Sequence, residues 1–577
     1  MRSPSIRRWR GMGLVMAAAL VATACGGGTS DEPEGTSADA PAETDGDTGA
    51  EPEDDESEAA PPAEGGTVLF GDEQEPTILN GTLIDGNSLV TSKVFNNIFP
   101  GSYVIQPDFS YAPSLIDGEA EFTEDPFSVT YTIRDDANWS DGTPITAEDY
   151  AFTLELYDED APHADQITSR SGYELIEDYE IDGDKTITFN FSEPYAAWQL
   201  LFSNVFPAHV FEGEDWETVM NDSIPEVSGG PYSFDSWERG TQLRLVKNDS
   251  YWGGDVALDE IIFRYVPDTT TLTQQMQGGE INMYDPQPQI ELIGQLDEVS
   301  DRVNYEVGLG PVWEHIDFNT LVDGLDQPFV RQAIALGIDR ERIVETLVRP
   351  VDPEAVVLEN PFWMANSENY EPRFEQNSHD PDAARALLEE NGCTEGDDGV
   401  YECDGVRLEF RISTTGGNER RELTQQLMQA DLQEVGIKLN IENDEGATFF
   451  DRMNTPENCG GVCDYDIGLF AWVGSPDPSG NANIYGCNGD EPRPQNWTAW
   501  CNAEITELMD EANSTVDPAA NAALWNEAAQ VFADEVPVVP LFQQPQLLAW
   551  ENTITGPQLN ATNQTQFWNS ASWARTE

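Results

Sequence analysis

VRLEFRISTTGGNERRELTQQLMQADLQEVGIKLNIEN, residues 406–443, decides the fold class. Its first part, 406–414, predicts a strand, 418–436 predicts a helix, and 437–443 predicts a second strand. A strand, a helix and a strand in this order form a βαβ unit, which is typical of α/β proteins. The segment DYDIGLFAW, 464–472, then predicts a further strand.

The loop after that strand is the first candidate for a functional site. In GLFAWVGSPDPSG, 468–480, the apolar run ends at Trp472, and Pro476 and Pro478 bracket Asp477. A loop after a buried strand is where α/β proteins usually bind a ligand. Asp477 fits either a ligand contact or a carboxylate that caps its own turn. Trp472 fits either a cleft or a core.

Patterns on both sides of this region predict more strands and helices in alternation. Val129, Tyr131 and Ile133 alternate as in a strand, and Thr146 with Asp149 predicts the start of a helix. Further predicted elements are a strand at 185–191, two strands within 229–254, strand–helix–strand over 258–284, a helix pair over 327–348, and a helix over 380–392. With 577 residues, the chain is long enough for two or three domains.

Acidic residues dominate the whole chain. There are 108 Asp and Glu against 27 Lys and Arg, which gives a formal net charge of −81. Residues 65–577 alone contain 94 acidic and 23 basic residues, so the excess is not confined to a tail. Such a charge disfavours nucleic acid and broad contact with an anionic membrane surface. The few lysines, four against 23 arginines, fit a GC-rich genome, and the acidity fits a saline medium.

The amino terminus predicts export and lipid anchoring. Four arginines within residues 1–24 precede an apolar run, 11–24, that is too short to span a bilayer. The run ends in Ala-Thr-Ala before Cys25, which resembles a bacterial lipobox, so we expect Cys25 to be lipidated. Residues 25–65, rich in acids, Gly and Pro, predict a disordered tether. An ordinary signal peptide that precedes a cysteine is the alternative.

The other six cysteines suit an oxidising compartment. Cys393, Cys403, Cys459, Cys463, Cys487 and Cys501 lie within one stretch of the chain. An even number of cysteines in an exported protein indicates disulfides, and pairing of sequence neighbours is the simplest arrangement. The pairs would be 393–403, 459–463 and 487–501. A metal site is the rival interpretation, but CGGVC lacks a second CxxC.

Signatures of catalysis are missing from the sequence. It contains no G-x-S-x-G, H-E-x-x-H or Walker motif, and no G-x-G-x-x-G that opens a helix. The four histidines, at 163, 209, 315 and 379, have no obvious nucleophile as a partner. We therefore expect a protein that is not an enzyme and carries neither cofactor nor metal. A glycoside hydrolase is the remote alternative, because paired acids are abundant.

Five motifs occur in an order that resembles the extracellular solute-binding proteins of ABC importers, family 5, which includes dipeptide- and oligopeptide-binding proteins. They are TIRDDANWSDGTPITAEDYAFTLEL, GGPYSFDSWERG with LVKNDSYWGG, FRYVPDTTTLTQQMQGGEI, PFVRQAIALGIDRERIV and HDPDAARALLEENG. The resemblance covers about residues 66–577. Within it, Trp139, Asp141 and Gly142 are interpreted as a turn and its core packing rather than as ligand contacts.

The resemblance implies a bilobal, hinged α/β fold of the periplasmic-binding-protein class II type with an extra inserted subdomain. Lobe I would be discontinuous and use 66–105, 227–310 and 540–577. The inserted subdomain would cover 106–226, and lobe II would run from 311 to 539. The protein would be a monomer that binds a small solute between the lobes and presents it to the transmembrane subunits of an ABC permease.

The resemblance also points to ligand contacts. Peptide-binding relatives hold the ligand amine with an Asp in the loop at 468–480, at the place where this chain has Gly474. Dipeptide binders place an Arg for the ligand carboxylate after the strand near 407–412, where this chain has Ser413. The sequence therefore predicts a pocket for a mostly neutral ligand. The predicted ligand-binding residues are Trp313, Ser413, Thr414, Trp472, Gly474, Ser475 and Asp477.

Two ligand classes fit those residue types. A longer or blocked peptide would pair with exposed strand edges, and a glycan-like envelope molecule would stack on tryptophan. A non-transport envelope regulator on the same fold is a further alternative.

Overall fold

A computed structural model describes residues 65–444, 446–453, 464–489, 491–493 and 495–576. The lipobox, the tether, Cys459 and Cys463 lie outside these residues. The strands of the first half are β1 Thr67–Asp72, β2 Tyr103–Ile105, β3 Tyr111–Pro113, β4 Glu121–Glu124, β5 Phe127–Thr132, β6 Ile176–Asp182, β7 Thr186–Phe191, β8 Tyr232–Glu238, β9 Gln242–Lys247, β10 Glu260–Tyr265, β11 Met283–Tyr284 and β12 Val303–Phe318. Its helices are α1 Leu89–Phe95, α2 Ala147–Glu155, α3 Ala208–Phe211, α4 Thr269–Gly278 and α5 Ile290–Asp297.

The second half is richer in helices. They are α6 Pro328–Gly337, α7 Arg340–Leu347, α8 Pro381–Glu390, α9 Glu419–Glu434, α10 Gly446–Met453, α11 Asn481–Tyr485, α12 Ala503–Ser514 and α13 Pro518–Glu535. The strands are β13 Thr394–Glu395, β14 Tyr401–Cys403, β15 Val406–Arg407, β16 Glu409–Ser413, β17 Lys438–Ile441, β18 Ile467–Val473, β19 Cys487–Asn488, β20 Glu491–Pro492, β21 Val538–Glu551, β22 Ile554–Thr555 and β23 Ala574–Arg575.

The βαβ prediction is confirmed. Strands β16 and β17 are parallel neighbours, α9 connects them, and β16 also pairs with β18 in parallel. Helix α2 begins as predicted, because the Thr146 and Asp149 side chains form a reciprocal capping box. The predicted helix pair is α6 and α7, and Asp339 caps the second helix through the Arg342 amide.

One ten-stranded sheet runs through the molecule in the order β17-β16-β18-β12-β21-β11-β1-β10-β9-β8. The long strands β12 and β21 lie at its centre and pair antiparallel along most of their length. Their register shifts between Leu309 and Trp313, opposite Pro545 and Gln543. The sheet therefore joins the two halves of the molecule through one pair of strands whose pairing is interrupted midway.

Separate hydrophobic cores lie on either side of that interruption. The largest includes the segments predicted as lobe I and as the inserted subdomain, with Trp139 and Tyr150 fully buried. Two others lie in the segment predicted as lobe II: one packs α6 and α9 against the sheet, and the other is an aromatic cluster around Trp363 and Trp525. The segment boundaries drawn from the sequence stay a prediction.

Two of the three predicted disulfides are present in the described residues. Cys393 is bonded to Cys403, and Cys487 is bonded to Cys501. No helix in the described part of the chain combines the length and the apolar composition that crossing a membrane requires.

Candidate functional site

Three cavities lie where residues from the first half of the chain face residues from the second half. The largest, of about 780 Å³, separates the β2–β3 hairpin and residues 196–199 from residues 363–369 and 476–477. The second, of about 520 Å³, lies between residues 287–291 and the start of α9. The third, of about 220 Å³, lies beside the interruption of β12 and β21. We refer to these three cavities together as the cleft, because concave sites of this kind are where proteins bind small solutes.

The loop after β18 contributes Asp477 to the largest cavity. The Asp477 carboxylate accepts a hydrogen bond of 2.8 Å from the Ser479 amide, so it caps the turn as one interpretation held. It also lines the cavity, as the other interpretation requires. Burial raises the pKa of Asp477, and the charge of this carboxylate contributes to the raised pKa values of Tyr111 and Tyr195.

Gly474 contributes a backbone hydrogen bond and does not leave an empty space for a ligand beside it. Its amide donates a hydrogen bond of 2.6 Å to the Pro311 carbonyl, which fastens the loop to β12. A Cβ at this position would lie 2.6 Å from the Met364 sulfur. A side chain at position 474 would therefore fit only if the flexible Met364 side chain moved. Ser475 follows it in the loop and is half-buried.

Trp472 is half-buried in an aromatic cluster. Its ring lies 5.0 Å from Trp497 and 5.2 Å from Phe470, between ring centroids, and its Nε1 is buried without a hydrogen-bond partner. Trp313, its partner in the β12–β18 register, is buried and packs on His315 at 4.5 Å. Both indoles thus pack chiefly against other aromatic residues.

Ser413 and Thr414 lie at the end of β16 and are buried. The Thr414 hydroxyl donates to the Leu469 carbonyl at 2.7 Å, while the Ser413 hydroxyl has no partner. A buried pair lies nearby on β12, where His315 Nε2 is 3.4 Å from an Asp317 oxygen. Burial lowers the pKa of His315 to about 3 and raises that of Asp317, so burial disfavours the charged form of both partners.

An ion cluster in the first half of the chain borders the smallest cavity. Lys93 on α1 lies 2.6 Å from a carboxylate oxygen of Asp72, which ends β1, and 2.6 Å from one of Asp285, which follows β11. Gln566 donates a further hydrogen bond of 2.7 Å to Asp285. Burial, together with the charge of Asp72, outweighs the attraction of Lys93 and raises the pKa of Asp285 to about 6. All four residues line the cavity.

A second ion cluster lies across the interruption of the sheet. Arg421 Nε is 3.0 Å from both carboxylate oxygens of Glu314, which is buried on β12. Gln544 on β21 donates to the same carboxylate, and its own oxygen accepts a hydrogen bond of 3.1 Å from Arg420. Sequence reasoning missed both clusters. The signal for Lys93 was its rarity, since the chain has four lysines.

The tip of the β2–β3 hairpin reaches from the first half of the chain into the second. Phe109 has a φ of +66°, a left-handed conformation that is uncommon for a bulky residue. Its ring joins the aromatic cluster around Trp363 and also lines the largest cavity. Trp363 Nε1 is buried without a partner. The hairpin tip therefore closes one end of the cleft.

The walls of the three cavities offer groups that can bind a solute. These walls combine aromatic rings, amides and two ion clusters, and among the described residues no group of three or more His, Cys, Asp and Glu side chains is placed to hold a metal ion. Such cavities exclude water and orient a solute through a few polar contacts.

Comparison with known proteins gives consistent matches over most of the chain. A family model described as "Bacterial extracellular solute-binding proteins, family 5 Middle" matches residues 110–492. The oligopeptide-binding protein OppA of Mycobacterium tuberculosis is 27% identical over 85% of this chain and 82% of its own length. OppA of Bacillus subtilis is 24% identical over 98% of this chain and 99% of its own length.

Solved structures share the fold. The periplasmic EDTA-binding protein EppA aligns with a TM-score of 0.82 and 24% identity over 89% of this chain and 97% of its own. The oligopeptide-binding protein AppA from Bacillus subtilis, in complex with a nonapeptide, aligns with a TM-score of 0.72 and 22% identity over 90% of this chain and 100% of its own. These matches confirm the predicted bilobal α/β fold.

Proposed function

The chain belongs to the bacterial extracellular solute-binding proteins of family 5, and we propose that it is a lipid-anchored receptor. It captures a peptide or peptide-like solute between two lobes and delivers it to the permease of an ABC importer. The chain belongs to a family of binding proteins, and its sequence contains none of the catalytic motifs named above. Both observations support a receptor rather than an enzyme.

The observation that carries the proposal is the cleft. Its three cavities are each lined by residues from both halves of the chain, and the interruption of the β12–β21 pair lines the third of them. Closure of the lobes would bury a solute on both sides. The closed, loaded receptor would then differ in shape from the open, empty one, and the permease could respond to that difference. The largest cavity, about 780 Å³, has room for a short peptide.

Two ligand classes remain within this function. The relatives named OppA and AppA support a peptide, and Phe109, Tyr111 and Trp363 offer rings on which a sugar would stack. The structural neighbour EppA is an EDTA-binding protein, and EDTA is not a peptide, so the fold accommodates other solutes. A glycan or envelope precursor is therefore the second candidate, favoured by the aromatic wall. On the same fold, a non-transport regulator would bind its solute without a permease.

Identification of the native solute tests the proposal. Protein purified from its own cell envelope is analysed by native mass spectrometry, and the released solute is identified and titrated back by calorimetry. We expect a peptide or peptide-like compound bound in a 1:1 ratio, unchanged on prolonged incubation. Turnover of the solute would contradict the receptor function, and a carbohydrate would favour the second candidate.

Two substitutions test the loop after β18 with that solute. Trp472→Ala removes the half-buried indole near the end of β18, and we expect about 1–3 kcal/mol of binding free energy to be lost. Asp477→Asn keeps the shape of the turn, so a loss of affinity without a loss of stability would identify a ligand contact. Trp237→Ala is the control, since Trp237 lies on β8 under Arg239. Unchanged affinity in both loop variants would mean that this loop is structural.

The anchor is tested separately. We propose that Cys25 carries the lipid, because small residues and then a cysteine follow the apolar run at 11–24. Cys25→Ser should release the protein from the membrane fraction to the medium or periplasm. The anchor proposal fails if the variant sediments with membranes as completely as the unaltered protein does.

A further inference from the structure

A contact outside the large sheet also joins the two halves of the chain. Residues 195–197 of the first half, which follow β7, meet residues 513–516 of the second half, at the end of α12. The Ala196 amide donates a hydrogen bond of 2.8 Å to the Asn513 carbonyl. Because neither segment is part of a strand, this contact can form and break without disturbing the ladder of β12 and β21.

The hydrogen bond completes the end of α12. The last carbonyls of a helix have no partner within the helix and need one from elsewhere. The carbonyls of residues 510–512 accept hydrogen bonds from side chains of the second half itself, those of Ser514, Thr515 and Asn521. The next carbonyl, that of Asn513, accepts its hydrogen bond from Ala196 of the first half. Separation of the two halves would leave this carbonyl to water.

Each half also places an apolar side chain in a core of the other. Val516 is half-buried and packs against the largest core, which includes the segments predicted as lobe I and the inserted subdomain. In the opposite direction, Phe109 packs in the aromatic cluster around Trp363. Its left-handed φ of +66° persists only where the surrounding structure compensates for it. Burial of both side chains favours the joined arrangement of the two halves.

The same contact is a wall of the cleft. On one side, Ala196 and Val516 line the largest cavity. On the other side, Tyr195 and Asn513 line a fourth cavity of about 440 Å³, and Tyr195 is buried. Separation of the two segments would therefore open the largest cavity towards the fourth.

We propose that residues 195–197 and 513–516 form a clasp that holds the two halves together before any solute is bound. The hydrogen bond and the burial of Val516 come from the protein alone, so this closed arrangement needs no solute contact. The solute-free receptor is mostly closed, and the clasp opens transiently to admit a solute. The fraction of closed molecules in turn scales the apparent affinity. This proposal rests on the proposed function, because it concerns closure of the same cleft.

The Ala196 amide gives a readout that requires no solute. The protein is unfolded in urea and refolded with its disulfides intact, and native mass spectrometry verifies that no solute remains bound. Hydrogen–deuterium exchange then follows the peptide that contains Ala196, and small-angle X-ray scattering measures the radius of gyration. We expect the Ala196 amide to exchange at least about 10-fold more slowly than an unprotected amide.

Val516→Asn and a matched control, Val219→Asn, separate the clasp from general stability. Val219 is also half-buried and packs against the same core, but it belongs to the first half. In Val516→Asn, exchange at Ala196 should become about 10-fold faster and the radius of gyration should increase, because the closed fraction falls. Val219→Asn and the conservative variant Val516→Ile should behave as the unaltered protein does. Thermal denaturation verifies that every variant is folded at the temperature of the experiment.

A peptide library tests the consequence for binding. Tetra- to hexapeptides with free termini are screened by native mass spectrometry, and the best binder is titrated by calorimetry. Val516→Asn should weaken its binding by about 3- to 10-fold, mainly through faster dissociation. If no peptide binds, the peptide form of the proposed function fails, whereas exchange at Ala196 in the solute-free protein still decides the clasp.

Three results would overturn the clasp. An unprotected Ala196 amide in the unaltered protein would mean that the halves are apart without solute. Equal protection in the unaltered protein and Val516→Asn would mean that Val516 does not hold the contact, and a loss of affinity would then come from a direct solute contact. Equal losses of protection in Val516→Asn and Val219→Asn would mean that both substitutions only destabilise the core that they share.

Discussion

The two ion clusters beside the cleft are built from the same kinds of group but differ in how completely they are paired. Lys93 lies between Asp72 and Asp285, so one buried cation serves two carboxylates. Across the interruption of the sheet, Arg421 binds the buried carboxylate of Glu314, whereas Arg420 donates to the Gln544 side chain. The first cluster uses its cation fully and joins β1, α1 and the end of β11. The second leaves part of a cation unpaired.

This difference predicts which cluster contributes more to the stability of the fold. A buried charge without a partner is costly. Removing one member of a fully paired buried cluster therefore destabilises the fold. A cation without a carboxylate partner contributes less, so its removal should cost little. The following predictions test that contrast from the largest expected effect to the smallest.

Removal of the paired cation should have the largest effect. Lys93→Met leaves two carboxylates buried without a counter-charge, and we expect a loss of about 3–5 kcal/mol in the free energy of unfolding. Lys438→Met is the control, because Lys438 is largely exposed and pairs with Glu409 at the surface. Its cost should stay below about 1 kcal/mol. Urea denaturation measures both, and equal effects would remove the contrast between buried and exposed pairs.

The adjacent arginines should respond differently to the same change. Arg421→Met leaves Glu314 buried with Gln544 as a partner but no cation, and we expect a loss of about 2–4 kcal/mol. Arg420→Met removes a surplus cation, so the protein without ligand should change by less than about 1 kcal/mol. A large loss in Arg420→Met would show that this residue is structural.

Acid should reveal the crowding of carboxylates around Lys93. Burial holds the pKa of Asp285 at about 6, above its ordinary 3.8, so the native state takes up a proton that the unfolded chain takes up only in stronger acid. The destabilising contribution of the ionised group is therefore full above pH 6 and is relieved as the pH falls towards 4. Between pH 7 and 5, the unaltered protein should gain on the order of 1 kcal/mol relative to Asp285→Asn. Parallel pH profiles of the two would contradict this assignment.

Salt should have the smallest effect on the stability difference between the unaltered protein and Lys93→Met. Raising KCl from about 0.05 to about 1 M shortens the Debye length from more than 10 Å to about 3 Å and should stabilise the strongly acidic protein as a whole. The cost of Lys93→Met, however, should change by less than about 0.5 kcal/mol, because its ion pairs are buried. A cost that falls by half at high salt would mean that water reaches the cluster.

The sequence predicted what is encoded locally and missed what depends on distant residues. The strand, helix and strand at 406–443, the capping box at Thr146 and the disulfides Cys393–Cys403 and Cys487–Cys501 all form between near neighbours in the chain. In contrast, Lys93 and Asp285 are 192 positions apart, and Arg420 and Gln544 are 124 apart. No pattern of spacing links such residues before the fold is known.

The loop after β18 illustrates the limit on the site. Its composition predicted a ligand loop, and Asp477 does line the largest cavity. Yet the same residues left open whether Trp472 faces a cleft or a core, because that depends on Phe470 and Trp497, whose rings surround it. From the sequence, Gly474 was notable only as a glycine where an acid was expected. The structure shows that the side chain of Met364, 110 residues earlier, occupies the space that a side chain at position 474 would need.

The interruption between β12 and β21 has a mechanical consequence. Three carbonyls at the interruption, those of Leu309, Gly310 and Pro311, are held by Gln546, Gln543 and the Gly474 amide instead of by ladder bonds of the opposite strand. Two of these three donors are side-chain amides, which can rotate and exchange a carbonyl for water. We therefore expect these two glutamines to influence how easily the strand pair bends at the interruption. Substitution of either glutamine by alanine should make the strand pair more flexible at the interruption without changing the packing on either side. Backbone amide hydrogens on both sides of the interruption should then exchange with solvent faster.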